Sequence, residues 1–330
     1  MSIKTNLKIV FKIIKARFLK QKIPVFINWN ITNRCNYKCR YCSIWSKAAN
    51  ELNTDEVISL INNFFECGTE AISFSGGEPL LRDDIGDIIS HCRRKGIYTK
   101  LTTNGSLIPR KITEIRDVGL VKITFNGPKH IHDSQRQEGS YEDVLNAVGL
   151  VKKNNIDVGL NCVISKHNID YLDFILETAK RLKVKVSFQP LEQRGSFNKY
   201  VDSDFPEPEK IKMAISKLIE LKRNRDSRIA NSLTGLKYLY NWPSAPKIKC
   251  WAGRLHFRIT SEGLFTVCDR IKNINSDVLN LRSDIKMIMN SMSFIPCQEK
   301  CWRNTTVELN YLLSFNPTAL LNVNNVLCKR

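Results

Sequence analysis

Thr32-Asn33-Arg34-Cys35-Asn36-Tyr37-Lys38-Cys39-Arg40-Tyr41-Cys42 places three cysteines within eight residues, just after the apolar run 25–32. Three thiolates at Cys-x3-Cys-x2-Cys spacing suit three corners of a [4Fe–4S] cluster, which cysteine thiolates hold. A fourth cysteine at this spacing is missing, so one iron would stay open and the site reads as reactive. Zinc is the rival: it takes four ligands in a structural site, or three plus water in a catalytic one. No histidine stands nearby, but spacing alone leaves zinc open. A disulfide framework does not suit a chain of 330 residues with eleven unevenly scattered cysteines.

A second motif, Ser73-Phe74-Ser75-Gly76-Gly77-Glu78-Pro79, follows another strand-like run. Paired glycines at a strand end let the backbone approach a ligand closely, because no Cβ intervenes. Glu78 adds an acceptor suited to an ammonium group. Alone, this is an ordinary strand-to-helix turn. One strand after the cysteine loop, it gains meaning.

Together these residues resemble the radical S-adenosylmethionine (SAM) superfamily. The resemblance implies that Cys35, Cys39 and Cys42 hold the cluster and that its open iron chelates SAM. It further implies that Tyr41 lies near the adenine and that Gly76, Gly77, Glu78 and Pro79 receive the methionine amino group. In that superfamily SAM is cleaved reductively to methionine and a 5′-deoxyadenosyl radical, which takes a hydrogen atom from substrate.

The surrounding pattern predicts an α/β fold. Strands are expected at Val25–Thr32, Ala71–Ser75, Tyr98–Thr103, Val121–Asn126, Val158–Ser165 and Lys185–Pro190. Helices are expected at Thr54–Cys67, Arg82–Lys95, Pro109–Val118, Tyr141–Lys153 and Asn168–Leu182. Repeated βα units argue for a parallel sheet with right-handed crossovers. Six of them suggest a partial (βα)6 TIM-like barrel, the fold the resemblance also implies. In such barrels chemistry gathers at the C-terminal strand ends. Thr103 and Asn104 end the third strand, Asn126-Gly127 the fourth, Ser165 the fifth and Gln189 the sixth. By resemblance, Asn104, Asn126 and Arg136 are candidates for ribose and carboxylate contacts. Asn126-Gly127 stands where family members often carry Asp-Gly.

A second cysteine set lies in the C-terminal third. Cys250 is followed by twelve residues, Gly263, four residues and Cys268, and then Cys297-x3-Cys301. Leu255–Thr260 and Leu264–Val267 read as a hairpin with a glycine turn that brings Cys250 near Cys268. Four cysteines also suit structural zinc. The pattern resembles the shortened auxiliary-cluster domain called twitch, related to SPASM, and so implies a second [4Fe–4S] cluster held by Cys250, Cys268, Cys297 and Cys301. The expected organisation is a basic amphipathic helix (1–22), a radical SAM barrel (23–200), a helical connector (201–249) and a small auxiliary-cluster domain with a tail (250–330). No role follows for Cys328.

The formal net charge is +19. Such an excess suits an anionic membrane surface, an acidic substrate, or the acidic flavodoxin or ferredoxin that would supply electrons. No nucleic-acid fold motif appears, so nucleic acid is the least favoured partner. The segment 1–22 carries seven Lys or Arg and no acid. Its Ile3, Leu7, Val10, Phe11, Ile14 and Phe18 recur at helical spacing. Docking on the barrel and lying on an anionic membrane both stay open. No apolar run is long enough to span a bilayer. Cluster proteins need a reducing interior, which places the chain in the cytoplasm, with the inner membrane face as a peripheral site.

The expected activity is that of a radical SAM oxidoreductase or maturase. An auxiliary cluster that accepts an electron favours dehydrogenation, whereas a cysteine that returns a hydrogen atom gives epimerisation. Cys162, inside the fifth strand, is the candidate donor, beside its plainer role as a core cysteine. The stretch before the first strand is too short for the leader-binding domain that peptide maturases often carry. The substrate, whether small molecule, lipid, glycan or peptide, stays open. A zinc-stabilised, non-catalytic binding protein on a barrel scaffold is the alternative from a different class.

Overall fold

A computed structural model describes residues 3–47, 50–191, 204–244, 247–268, 277–278, 284–291 and 301–321, with backbone only for 3–10 and 277–278. The chain runs α1 (Ile3–Phe18), β1 (Phe26–Thr32), α2 (Thr54–Glu66), β2 (Ala71–Gly76), α3 (Ile85–Arg94), β3 (Tyr98–Thr103), α4 (Ile108–Lys111) and β4 (Leu120–Thr124). It continues with α5 (Lys129–Gln135), α6 (Ser140–Lys153), β5 (Val158–Ile164), α7 (Leu172–Leu182), β6 (Lys185–Pro190), α8 (Pro208–Arg223) and α9 (Leu233–Leu239). Last come β7 (His256–Ile259), β8 (Leu264–Thr266), β9 (Asp277–Val278), α10 (Ile285–Ser291), α11 (Asn304–Leu313) and α12 (Pro317–Leu321).

The sheet order is β6-β5-β4-β3-β2-β1-β7-β8-β9. The six expected barrel strands are present and parallel, in sequential order. The expected hairpin is also present, with Gly263 at φ +80° in its turn. Its first strand pairs in parallel with β1, so the C-terminal hairpin continues the barrel's sheet.

Alternation along each strand builds the two faces. Ile27, Trp29 and Ile31 of β1, Ile72 and Phe74 of β2, and Val121 and Ile123 of β4 point outward into the main core under the helices. Their neighbours point inward and are polar: Asn28 and Asn30, Ser73 and Ser75, Thr102, Lys122, Asn161, Gln189 and Arg258 face one cavity. The lumen is therefore lined by amides, hydroxyls and cations.

The helices differ from expectation where the local signal is weak. The expected Pro109–Val118 helix shortens to α4 and continues as turns. The helix expected from Arg82 starts at Ile85, after a 3₁₀ turn over Pro79–Leu81. Helix α5, which sequence reading did not find, has only seven residues and no side-chain cap. By contrast α2 begins where expected. Asn53 accepts from the Glu56 amide, and Glu56 returns a bond to the Asn53 amide, which satisfies two donors of the first turn.

Beyond β6 the connector covers the open sheet edge. Val186 donates its amide to the Arg228 carbonyl (2.8 Å), and Ala230 donates to the Val186 carbonyl (2.8 Å). Asn231 pairs with both backbone groups of Phe188, at 2.8 and 2.9 Å. Helix α11 then crosses from this side to the hairpin side. Asn304 receives Asn231 (2.7 Å) and donates its amide to Gln189 (3.1 Å), while Asn310 accepts from the Trp251 amide (2.9 Å). The apolar residues from Val307 onward thus pack inward as far as Ala319, against Trp251, Leu255 and α1.

Among the described side chains of α1, from Phe11 onward, the docked face is not the stripe read from sequence. Ile13 and Ala16 are buried against Val25, Phe26 and Ala71. Lys12 reaches the Gly68 carbonyl (2.8 Å) and pairs with Glu70. Phe11, Ile14, Phe18 and Leu19 are turned to solvent. Among the described residues no helix is long and apolar enough to cross a membrane.

Glu308 of α11 is buried and accepts from the Ser232 amide (2.8 Å) at the start of α9. Burial raises its carboxyl from the ordinary 4.5 to about 6, against opposing hydrogen bonds and the charges of Lys222 and Lys122. The folded state therefore holds a proton the unfolded state has released between those pH values. This contribution is full below about pH 4.5 and lost as pH rises past 6, to the extent of about 2 kcal/mol. Glu308→Gln is expected to stabilise the protein by about that amount at pH 8 and to change little at pH 4. Denaturant melts at both pH values check this, and an equal effect at both would rule out the burial cost.

Candidate active site

The cysteine loop and the Gly-Gly-Glu-Pro segment meet through backbone. Gly77 donates its amide to the Thr32 carbonyl and Glu78 to the Arg34 carbonyl, both at 2.8 Å. A Cβ on Gly76 would lie 2.1 Å from the Thr32 oxygen, and one on Gly77 would lie 2.1 Å from the Arg34 oxygen. Gly76 also has φ +129°, a conformation side chains resist. The glycines are needed at this seam, which fixes the cysteine loop against the end of β2. Arg82 ties both ends of that loop by donating to the carbonyls of Ile31 (3.3 Å) and Leu52 (3.0 Å) and pairing with Asp84.

Glu78 is fully buried and faces inward to the protein. It accepts from Thr103 Oγ1 (2.8 Å), the Asn104 amide (2.8 Å) and the Leu80 amide (3.1 Å). Burial raises its carboxyl above the usual range, and these donors pull the other way. It therefore couples the end of β3 to the glycine seam. Pro79 opens the following 3₁₀ turn and is buried. Asn104 donates to Asn36 of the cysteine loop (2.9 Å), so β3 also holds that loop.

Around the thiols a second group of residues converges. Cys39 is buried with Tyr37 and Tyr41, and Cys35 and Cys42 pack on them half-buried. Tyr41 Oη receives Arg136 Nη1 (2.8 Å) and Asn126 Nδ2 (3.1 Å). Asn126 Oδ1 accepts from the Val163 amide (3.2 Å), so its side chain stands behind Tyr41 and orients it. Arg136 also lies over the Tyr37 ring, 5.8 Å from its centre. Tyr37, His132 and Gln135 belong to this group and were missed in the sequence. The last two ride on α5, whose shortness hid it.

Electrostatics suit thiolates that give their charge to a metal. Burial pushes the Cys35 thiol up to about 11, reinforced by Glu78, Cys39 and Cys42, and burial also raises Cys42. Burial raises Tyr41 to about 12, against the opposing charge of Arg136. Burial disfavours the Arg136 charge, but Cys39, Tyr41 and Tyr37 outweigh it and hold the guanidinium charged. Cys35 and Cys42, thiols that resist ionising alone, beside one buried cation match a site whose metal displaces the protons. Among the described residues no three His, Cys, Asp or Glu side chains converge to hold a single metal ion. A cluster meets each thiolate at a different iron. The buried Arg136 Nε, Gln135 Nε2 and His132 Nε2 lack hydrogen-bond partners, so polar groups remain for a ligand here.

The thiol loop opens onto the lumen. Cys42, Ile44 and Gly76 border a cavity of about 240 Å³ whose wall carries the inward residues of β1 to β7 and the start of α11. Gln189, near the end of β6, lines it. Cys162 does not: its neighbour Asn161 faces the cavity, while Cys162 is fully buried in the core against the helices, with Asn168 at 3.9 Å. Burial pushes its thiol far up. The structure places Cys162 as a core cysteine, because strand alternation turns it away from the lumen.

In the second cysteine set, Cys250 and Cys268 stand half-buried on the core around the hairpin, and Gly253 is seated on Val267. Asn310 of α11 donates to Cys250 Sγ (3.8 Å), and the Cys301 amide donates to Tyr238 Oη (3.3 Å). Cys297 and Cys328 lie outside the described residues.

Residues 29–179 match the family model described as the Radical SAM superfamily. The barrel is a radical SAM domain. The radical SAM family implies a [4Fe–4S] cluster and SAM, and the thiol loop and glycine seam fit both. The chain is similar to a "Fe-coproporphyrin III synthase" of Methanosarcina barkeri, 32% identical over 63% of this chain and 53% of the relative. It is also similar to an "AdoMet-dependent heme synthase" of Oleidesulfovibrio alaskensis, 29% identical over 47% of this chain and 42% of the relative. The chain thus spans about half the length of these curated relatives. Among solved structures, Streptococcus suis SuiB bound to S-adenosylmethionine has a TM-score of 0.66, at 14% identity over 83% of this chain and 68% of that chain. The anSMEcpe structure with bound AdoMet has a TM-score of 0.62, at 20% identity over 81% and 80%. At these identities the likeness is one of fold.

Gly77→Ala forces the radical SAM seam apart. It is expected to cost about 1–3 kcal/mol of stability and to lower SAM affinity of the anaerobically reconstituted protein. Calorimetric titration with SAM checks this, and wild-type affinity in the variant would show that the seam does not shape the SAM site.

Proposed function

We propose that the protein is a two-cluster radical SAM enzyme that oxidises or matures its substrate by hydrogen-atom abstraction. The observation that carries this reading is the glycine seam that holds the loop of Cys35, Cys39 and Cys42, with Cys42 and Gly76 at the mouth of one polar cavity. The SAM-bound cluster would supply the 5′-deoxyadenosyl radical on reduction by a flavodoxin or ferredoxin. Tyr41, held by Arg136 and Asn126, would shape the adenine side, and Gly76 would border the path from SAM to substrate. The orphaned donors of Gln135 and Arg136 are suited to the SAM carboxylate.

Cys250, Cys268, Cys297 and Cys301 would hold the auxiliary cluster, which could accept an electron from a substrate radical. With Cys162 in the core, no cysteine described in the cavity wall besides Cys42 is placed to return a hydrogen atom, which favours oxidation over epimerisation. A reducing cytoplasm suits these thiols. Anaerobic purification should give a brown protein with about eight irons per chain that releases 5′-deoxyadenosine from SAM under reduction. A colourless protein with stoichiometric zinc and no SAM cleavage would instead support the binding-protein reading.

The outer face of α1 favours an anionic membrane as a partner. Phe18, the last residue of α1, is 73% exposed and Leu19, just beyond it, 62%; Lys15 and Arg17 stand in the last turn, Lys20 follows, and Ile13 and Ala16 anchor the helix to the barrel. Apolar side chains rimmed by lysine and arginine are the signature of an interfacial helix. The full chain is expected to sediment with phosphatidylserine vesicles, and the triple variant Phe11→Ser, Phe18→Ser, Leu19→Ser to lose most of that binding. Equal sedimentation of both proteins would exclude this face.

A further inference from the structure

We infer that the barrel cavity takes a compact, uncharged substrate whose surface is mostly hydroxyl, a polyol of the small-sugar or cyclitol kind, which the carboxamides of Asn28, Asn30, Asn161 and Gln189 would hold beneath the cysteine loop. The inference deepens the radical SAM reading and rests on it only in naming the mouth, at Cys42 and Gly76, as the place where the substrate reacts.

Unused hydrogen-bonding capacity carries the argument. All four carboxamides line the cavity, from β1, β5 and β6. In three of them the protein holds the oxygen. Asn30 Oδ1 accepts from Ser75 Oγ (3.2 Å), Asn161 Oδ1 from Ser187 Oγ (3.2 Å) and Gln189 Oε1 from the Asn304 amide (3.1 Å). Their amino groups have no partner among the described residues, and neither end of the Asn28 carboxamide has one. The hydroxyls of Ser73, Thr102, Thr305 and Thr306 on the same wall are likewise unpartnered among the described residues. Register sets these groups in order: Asn28 stands opposite Ser73, and Asn30 opposite Ser75, one step nearer Gly76.

Folding does not explain these residues. Asparagine is depleted in strands, and barrel interiors are ordinarily filled by Val, Ile and Leu. Yet β1 alternates Asn28 and Asn30 with the core residues Ile27, Trp29 and Ile31, which keeps two amides for the lumen.

The rest of the wall narrows the class. Its cations Lys122, Arg258 and Arg303 already have partners, so they do not call for an anion. No described lining residue is a carboxylate or an aromatic ring, and Ile44 is the one large apolar side chain among them. A carboxamide offers a donor and an acceptor side by side, and a hydroxyl both donates and accepts, so adjacent hydroxyls satisfy both ends. An ionised carboxylate only accepts, and would leave Asn28 Oδ1 without a donor. A ligand with a broad apolar face would strand the free amino groups, at about 1–3 kcal/mol for each one buried. The cavity of about 240 Å³ lies below the roughly 300–1,000 Å³ typical of drug-sized ligands, which favours a compact molecule.

The test uses the anaerobically reconstituted holoenzyme and equilibrium dialysis. The probes are myo-inositol, glucose and ribitol as neutral polyols, citrate as an anion, and Fe-coproporphyrin III as a ligand with a broad apolar face. At least one polyol should bind at millimolar concentration or below. Its affinity should change by less than about twofold between about 0.05 and 0.5 M salt, since screening acts on charges. Asn28→Leu and Asn161→Leu should each weaken it by about tenfold, at unchanged iron content and melting temperature. Should a leucine variant fail to fold, Asn161→Asp keeps the acceptor for Ser187, removes the amino group, and is expected to weaken the polyol as strongly. Binding of none of the three polyols, binding indifferent to the variants, affinity that collapses with salt, or tighter citrate or porphyrin binding lost on the same variants would overturn the proposal. Polyol binding that follows the variants in a protein that takes up no iron and cleaves no SAM would leave the cavity assignment standing and refute the radical SAM function. A protein that cleaves SAM yet ignores all three polyols does the reverse.

Discussion

The backbone seam between the ends of β1 and β2 is the constraint on which the site depends. Two amides of the Gly-Gly-Glu-Pro segment bond to carbonyls of the cysteine loop across a gap with no room for a Cβ at Gly76 or Gly77. Because that approach is so close, Glu78 is buried where it organises Thr103 and Asn104, and Asn104 in turn holds Asn36. Three strand ends and the thiol loop are thereby locked as one unit. Precise placement of a reactive group requires that its supporting residues be locked in this way.

A second consequence follows from alternation. Along β1, β2 and β4 the apolar residues go mainly to the helices and the polar ones to the lumen, so the middle of the barrel is a polar chamber. The opening left by a partial barrel is covered on one side by the pairing of Arg228–Asn231 with β6 and crossed by α11, whose N-terminal turn completes the wall. The C-terminal region thus forms part of the cavity wall as well as presenting the second cysteine set. The docking of α1 on the underside leaves the rim around the cysteine loop clear and turns an apolar, basic face outward.

Much of this was readable in advance. The βα periodicity gave the strand order, because six β-branched runs separated by helical patterns have few other ways to bury themselves. The cysteine triplet and the glycine pair pointed to the rim where β1 and β2 end, since their pattern lies in residue type and spacing. The polar lumen was written in the same strands: Asn28 and Asn30 alternate with Ile27, Trp29 and Ile31, and Lys122 sits between Val121 and Ile123. Short elements were harder. Helix α5 has seven residues and no cap, so nothing in its local sequence announces it, although it carries His132 and Gln135.

The sequence by itself determined the radical SAM resemblance and the parallel barrel, because both follow from local patterns: thiol spacing, a glycine pair and strand–helix periodicity. Only the tertiary structure decided which side of each element those residues face. It turned Cys162 into the core and Asn161 into the lumen, buried Glu78 among β3 donors, and docked α1 by Ile13 and Ala16 instead of Phe11 and Phe18. It also brought Arg258 and Arg303, far along the chain, to the chamber beside Lys122. The physical reason is that a side chain's role depends on the dielectric and the partners around it. Those are set by long-range packing, which no local window of sequence contains.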